Sequence, residues 1–309
     1  MTSSLSIADF ADLFGTTPES LPKACVDLIK KGNWGYSAYS QPERDQIILD
    51  FLRRLRDRHF SFVTEGDKDR WIKGWGENLT EFKQSSGDLD KLTPKYIRPN
   101  MPVRLYGDFV KTDDPFFEKH WYTVFQEWLL LTYFQGFDHI FEFGCGPGHN
   151  VARLAELYPK ATVTGLDWAE PSVEICENLR TLKGLNTKGR QFDFFKPDYS
   201  VEIPPNSAVL TVGALEQTGE NNGAFLDFLM AKKPRLVVHA EPTYDWYDPD
   251  NLVDHLAIAA HELRNFWRGY HVRLNARKDQ GKVEILKTKR AYFGSLVLEG
   301  YSQTIWRPL

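Results

Sequence analysis

Hydrophobic positions follow one rhythm in the first part of the chain and another in the rest. Up to about residue 134 they recur mostly at three- and four-residue intervals, the spacing of helices with one buried face. The pattern predicts helices over Ser6–Phe14, after Ser20-Leu21-Pro22, and from Pro42 to about Phe60, where Ile47, Ile48, Phe51, Leu52 and Leu55 share a face. Asp69 to Phe82 carries Trp71, Trp75 and Phe82 near helical spacing, which favours core or subunit contact over a ligand shelf. Leu92 to Tyr106 is broken by Pro94, Pro99 and Pro102 and reads as an ordered connector. Another helix is expected from Asp114-Pro115 to about Phe134, offering Trp121, Phe125, Trp128, Leu129 and Leu131 to the strand that follows.

From residue 137 short apolar runs alternate with helical stretches. Strands are expected at 139–143, 161–166, about 189–193, 207–212 and 235–240, with helices at 149–157, 171–182, 222–231 and 252–268. Strands near 283–290 and 302–307 close the chain. This predicts an α/β fold, a seven-stranded doubly wound Rossmann-like sheet. Phe293-Gly294-Ser295 to Gly300 is too short for a crossover helix, so the last two strands should be antiparallel. Two domains follow: a mostly helical one over 1–136, with its connector at 92–114, and the sheet domain over 137–309.

The chemistry gathers at the end of the first sheet strand. Ile140, Phe141 and Phe143 lead into Gly144, Gly146 and Gly148, and a helix opens at Asn150. Glycines there allow a tight turn and close approach of a ligand to amides at a helix N-terminus. The dinucleotide fingerprint fails because His149 stands where its third glycine would fall, and no P-loop lysine is present. Glu142 precedes the loop, and the second strand ends in Asp167.

Together, Glu142-x-Gly144-x-Gly146-x-Gly148 and Asp167 resemble motif I and the acidic second-strand end of class I S-adenosylmethionine-dependent methyltransferases. The resemblance covers roughly residues 137–309 and leaves the first 136 unidentified. It implies Glu142 near the methionyl amino group and Asp167 accepting the ribose hydroxyls, although Asp167 could instead cap the helix starting near Glu170. Asp193 resembles the acceptor of the adenine amine, with Phe192 or Phe194 packing on the ring and Trp168 on its other face; each aromatic could equally be core. The closing antiparallel pair is the family's signature. In this family the segment before motif I lids the cofactor. That makes Tyr96, Arg98, Arg104 and Tyr106 candidates for the methionyl carboxylate or the acceptor, with either arginine also readable as a snorkelling surface residue.

Candidate catalytic groups lie where ligands of open α/β sheets bind, at the carboxyl edge. After the fourth strand come Glu216 and Gln217, and the fifth ends in His239-Ala240-Glu241. Glu241 could instead cap a turn, and His239 could be an interior histidine. His261, on the helix that carries Arg264, has a reference pKa suited to taking the acceptor's proton, though that face also reads as solvated. The aromatic and acidic loop Tyr244 to Asp248 suits an acceptor wall or packing against the helical domain.

Composition narrows the partners. A net charge of −4 with dispersed basic residues argues against capture of nucleic acid or an anionic membrane. Cys25, Cys145 and Cys176 have no paired spacing and no histidine cluster, which suits a reducing compartment and no metal, with Cys145 a small loop filler. No leader pattern is evident, and the longest apolar run, near Trp128 to Phe134, is too short to span a bilayer, so a cytoplasmic protein is expected, with a homodimer as the assembly if it associates. The expected reaction is methyl transfer from S-adenosylmethionine to oxygen or nitrogen of a polar small molecule, a sugar or natural-product intermediate. The rival acceptor is a peptide side-chain amide of a ribosomal natural product, gripped by Glu216 and Gln217. A nicotinamide-dependent oxidoreductase is disfavoured by the failed third glycine and the closing strand pair. A non-catalytic partner subunit is disfavoured by the intact Glu142, glycine loop and Asp167.

Overall fold

In the computed structural model the described residues are 2–60, 68–95 and 97–309. The first part contains β1 (Thr2–Ser4), α1 (Ile7–Phe14), α2 (Lys23–Lys31), β2 (Gly35–Ala38), α3 (Gln41–Arg56), α4 (Lys68–Gln84), β3 (Val103–Leu105), β4 (Asp108–Thr112) and α5 (Phe117–Tyr133). Then come β5 (His139–Phe143), α6 (His149–Leu157), β6 (Thr162–Asp167), α7 (Glu170–Lys183), β7 (Thr187–Gln191), β8 (Ser207–Val212), α8 (Gly223–Lys232) and β9 (Leu236–Glu241). The chain closes with α9 (Leu252–Arg264), α10 (Tyr270–Asp279), β10 (Val283–Lys289), β11 (Phe293–Gly294) and β12 (Ser302–Pro308).

The large sheet has the order β10-β12-β9-β8-β5-β6-β7, parallel from β9 to β7, with β12 inserted antiparallel between β9 and β10. Its central strands are mostly apolar and almost wholly buried, because helices cover both faces. The carboxyl ends of β5 and β8 meet at the switch point of the strand order, which is where such a sheet opens a crevice.

The strands β1 to β4 were not legible in the hydrophobic pattern. They are three to five residues long and form a second sheet, β1-β2-β4-β3-β11, whose last strand comes from the 293–300 connection. One hydrophobic core therefore runs through both parts, with Phe10, Phe14 and Trp34 packing with Trp121, Phe125, Ile140 and Phe293. The predicted helix 252–268 also differs: Asn265 turns left-handed (φ +56°), ends α9, and a separate α10 follows. The helix α4 packs on α7, where Lys83 pairs with Glu174.

Candidate active site

Two adjoining cavities lie along the carboxyl ends of β5, β6 and β8, roofed by α4. The smaller, about 60 Å³, is walled by Asp167, Trp168, Phe194, Gly213 and Gln217 together with Trp71 and Trp75. The larger, about 420 Å³, runs past Glu142, His149 and Asn150 to Glu118, Glu216, Arg264 and Tyr301. Trp71 and Trp75 stack 5.4 Å apart and line both. This corrects the expectation that the tryptophan pair is core; of that helix's aromatics only Phe82 is wholly buried. Helical spacing cannot distinguish a face turned to a core from one turned to a cleft.

The glycine loop is pinned by β6. Gly144 and Cys145 donate to the Leu166 carbonyl at 2.7 and 3.1 Å. Gly144 (φ +71°) could hold no side chain, since a Cβ would lie 2.3 Å from the Ala214 Cβ and 3.3 Å from Phe194. At Gly146 (φ +51°) the same atom would meet the Trp75 ring at 3.1 Å. Gly148, also at positive φ, is the N-cap of α6 and backs onto Ile175.

Glu142 is buried at the end of β5. Its Oε1 accepts from Asn150 Nδ2 at 2.7 Å, and Asn150 is fixed in turn by Tyr122 and Gln126, whose donors reach its Oδ1 at 2.8 and 2.6 Å. The Oε2 makes no hydrogen bond, and burial pushes the carboxyl up to about 8. A buried acceptor without a donor is costly, so a cationic ligand group in the larger cavity would satisfy it. Asp167 takes the Gly146 N–H on Oδ2 and the Ala169 N–H on Oδ1, both at 2.9 Å, and burial raises it to about 6. It is not the N-cap of α7, which is Ala169, and it faces the smaller cavity with lone pairs left for hydroxyl donors. Trp168 and Phe194 line that cavity, while Asp193, expected at the adenine amine, is not among the residues lining either cavity and is bonded to Lys68 Nζ of α4 at 2.8 Å and to the Phe195 N–H at 2.9 Å.

Among the expected catalytic groups, Glu216 and Gln217 reach the cavities and are joined by a 2.6 Å hydrogen bond from Gln217 Nε2. Burial raises Glu216 to about 7 against the opposing charge of Arg264. The other three are placed elsewhere. Glu241 points under the turn and accepts from the N–H groups of Ala214, Leu215 and Glu216 at 3.1 to 3.3 Å, which fixes Glu216 without touching the cavity. His239 is interior, between Thr211 Oγ1 (2.8 Å) and the Tyr270 hydroxyl (2.7 Å). His261 is enclosed by Tyr244, Tyr247 and Phe266, and burial lowers it to about 3, a poor proton acceptor.

The lid candidates are corrected as well. Arg104 is fully buried, donating to the carbonyls of Val253 (2.7 Å) and Leu296 (3.2 Å), because β3 belongs to the small sheet. Tyr106 is half-exposed in the β3–β4 turn, neither it nor Arg104 lines either cavity, and Arg98 is likewise away from them. Tyr96 lies outside the described residues. The loop 244–248 packs internally, with the Tyr247 hydroxyl accepting from the Glu299 N–H at 2.9 Å and Trp246 against His271.

The residues that sequence reasoning overlooked are Arg70, Lys95, Glu118, His149 and Tyr301, all lining the larger cavity. His149 at the loop's end could have been suspected from its place in the motif; its Nε2 bonds the Tyr122 hydroxyl at 2.9 Å and burial holds it down to about 4. The others come from distant segments. Among the described residues no cluster of His, Cys, Asp and Glu could hold a metal, and no helix is long and apolar enough to cross a membrane.

Comparison with known proteins places this site in context. Residues 140–226, from β5 into α8, match the family model of a methyltransferase domain. A comparison with curated protein sequences finds no match. Among solved structures the chain is similar to the N,N-8-amino-8-demethyl-D-riboflavin dimethyltransferase of Streptomyces davawensis, at 17% identity and a TM-score of 0.42, covering 62% of this chain and 57% of that one. It is also similar to human N-acetylserotonin methyltransferase in complex with S-adenosylmethionine, at 13% identity and TM-score 0.44, over 86% of this chain and 67% of that one. A third is an O-methyltransferase of neocarzinostatin biosynthesis in complex with S-adenosylhomocysteine and 1,4-dihydroxy-2-naphthoic acid, at 13% identity and TM-score 0.42, over 63% and 59%.

Proposed function

We propose that the chain, whose residues 140–226 match the model of a methyltransferase domain, is a class I S-adenosylmethionine-dependent methyltransferase that methylates an oxygen or nitrogen atom of a polar small molecule. The observation that supports the cofactor's placement is the bare, buried Oε2 of Glu142 on a cavity that continues past the glycine loop to Asp167. Glu142 would hold the methionyl ammonium and Lys95 of the same cavity its carboxylate. Asp167 would hold the ribose hydroxyls, and Trp168 and Phe194 the adenine. When bound, the cofactor supplies an electrophilic methyl group on a sulfonium.

The remaining work falls to position and proton transfer. Trp71 and Trp75 of α4 exclude water from above the loop. Glu216, held by the Glu241-bound turn and Gln217, is the group placed to take the acceptor's proton, and a carboxyl raised to about 7 can do so near neutral pH. A peptide side chain is the second acceptor reading, favoured only by the adjacent Glu216 and Gln217. The test is transfer of labelled methyl from S-adenosylmethionine into an extract of the source cells, followed by size fractionation. Label in small molecules supports the first reading, label on peptide the second, and no binding of S-adenosylhomocysteine would overturn both.

A further inference from the structure

The acceptor end of the larger cavity carries two arginines without an ion-pair partner among the described residues. Arg264, the last residue of α9, lays its guanidinium over Phe266, 4.1 Å from the ring centroid, and its Nε is buried with no hydrogen-bond partner. Arg70 lines the same cavity from the roof, over Trp71 at 5.2 Å. A guanidinium with unused buried donors is destabilising until an acceptor fills them.

None of the carboxylates on the cavity makes an ion pair with either guanidinium among the described residues. Glu77 pairs with Lys95, Glu142 is bonded to Asn150, Glu118 to the Tyr301 hydroxyl at 3.2 Å, and Glu216 to Gln217. Burial raises Glu118 and Glu216 to about 7 and Glu142 to about 8, so these three are at least partly neutral near pH 7, whereas arginine stays charged at any working pH. The two guanidiniums are therefore only partly offset at this end of the cavity, whose lining also includes apolar Pro242, Phe266 and Val297.

We propose that the acceptor is an acid whose carboxylate or phosphate is gripped between Arg264 on the wall and Arg70 on the roof. The planar forks of two arginines match either oxyacid, and an anion bridging them ties α4 down while the acceptor is in place. The proposal rests on the methyl-transfer reading only in calling the bound molecule the acceptor. It narrows that acceptor class to sugar acids, sugar phosphates and hydroxy or amino acids, and it leaves neutral sugars outside.

The experiment is calorimetric titration of the full chain, saturated with S-adenosylhomocysteine so that the methionyl carboxylate's own contacts are filled. The probes are inorganic phosphate, succinate and methylammonium. Saturable binding of phosphate or of succinate is expected, with the stronger of the two identifying the acid. Arg264→Gln should weaken it about tenfold or more, with S-adenosylhomocysteine affinity unchanged. Arg70→Gln, on the surface of α4, should act in the same direction and guards against a folding defect at Arg264. Absence of anion binding, wild-type binding in both variants, or preference for methylammonium would overturn the proposal. Failure to bind S-adenosylhomocysteine would instead overturn the methyl-transfer reading.

Discussion

Trp75 lies over Gly146, so close that a Cβ on the glycine would meet the indole at 3.1 Å. The contact couples α4, outside the segment that matches the methyltransferase domain, to the glycine loop inside it. If α4 closes over the cofactor, Trp75 is the contact that ties it to the loop. Replacing Trp75 by Ala should speed dissociation of S-adenosylhomocysteine about tenfold, since an aromatic contact of this kind contributes about 1 kcal/mol beyond its buried area. Stopped-flow displacement measures it, and an unchanged rate would show that α4 does not close the site.

Asp167 gives a thermodynamic test. Its carboxylate already takes two backbone N–H groups, so the ligand adds bonds to a preorganised acceptor. Asp167→Ala should weaken cofactor binding by about 1.5 to 3 kcal/mol. Equal affinity in both proteins would remove Asp167 from the ribose site.

Glu142 links ligand binding to pH. Its carboxyl is raised from 4.5 to about 8 in the fold, so its contribution to stability is complete below pH 4.5 and is lost as the pH rises through about 8. Glu142→Gln carries no such titration. The Tm of that variant should therefore gain on the wild type steadily between pH 5 and 8 in the free protein, while its cofactor affinity falls. Parallel Tm curves across that window would refute the burial argument.

Glu216→Gln should lower kcat by about a hundredfold or more and leave S-adenosylhomocysteine affinity in place. A base works only when deprotonated, so wild-type kcat should rise with pH through about 7 and the variant should lose that limb. The groups setting this value are Arg264 and Arg70, which lower it, and the burial and Gln217 bond already described. A variant with the same acidic limb would assign the titration to another group.

Outside the lining of the cavities, Arg290 bridges Asp254 and Glu299, all three nearly buried, with contacts of 2.6 to 3.0 Å. Removing its charge leaves two carboxylates unpaired. Arg290→Met should cost about 3 to 5 kcal/mol in urea unfolding, and a loss under about 1 kcal/mol would count against the triad.

What the sequence by itself determined is the part governed by local chemistry: the α/β alternation, the glycine loop flanked by Glu142, the acid ending the second strand, and the antiparallel closing pair. Each is written within a few residues, because strand and helix periods and positive-φ glycines act over that range. Tertiary structure alone decided the rest. The strands β1 to β4 are too short to carry a period and are defined by pairing with one another, with β11, some 190 residues beyond β3, completing the sheet at β3. For the same reason Arg104 became a structural residue, while Arg70, Glu118, Arg264 and Tyr301, from four separate segments, met on one cavity. A side chain's type announces what it can do, but which side chains share a cavity depends on packing between segments far apart in the chain.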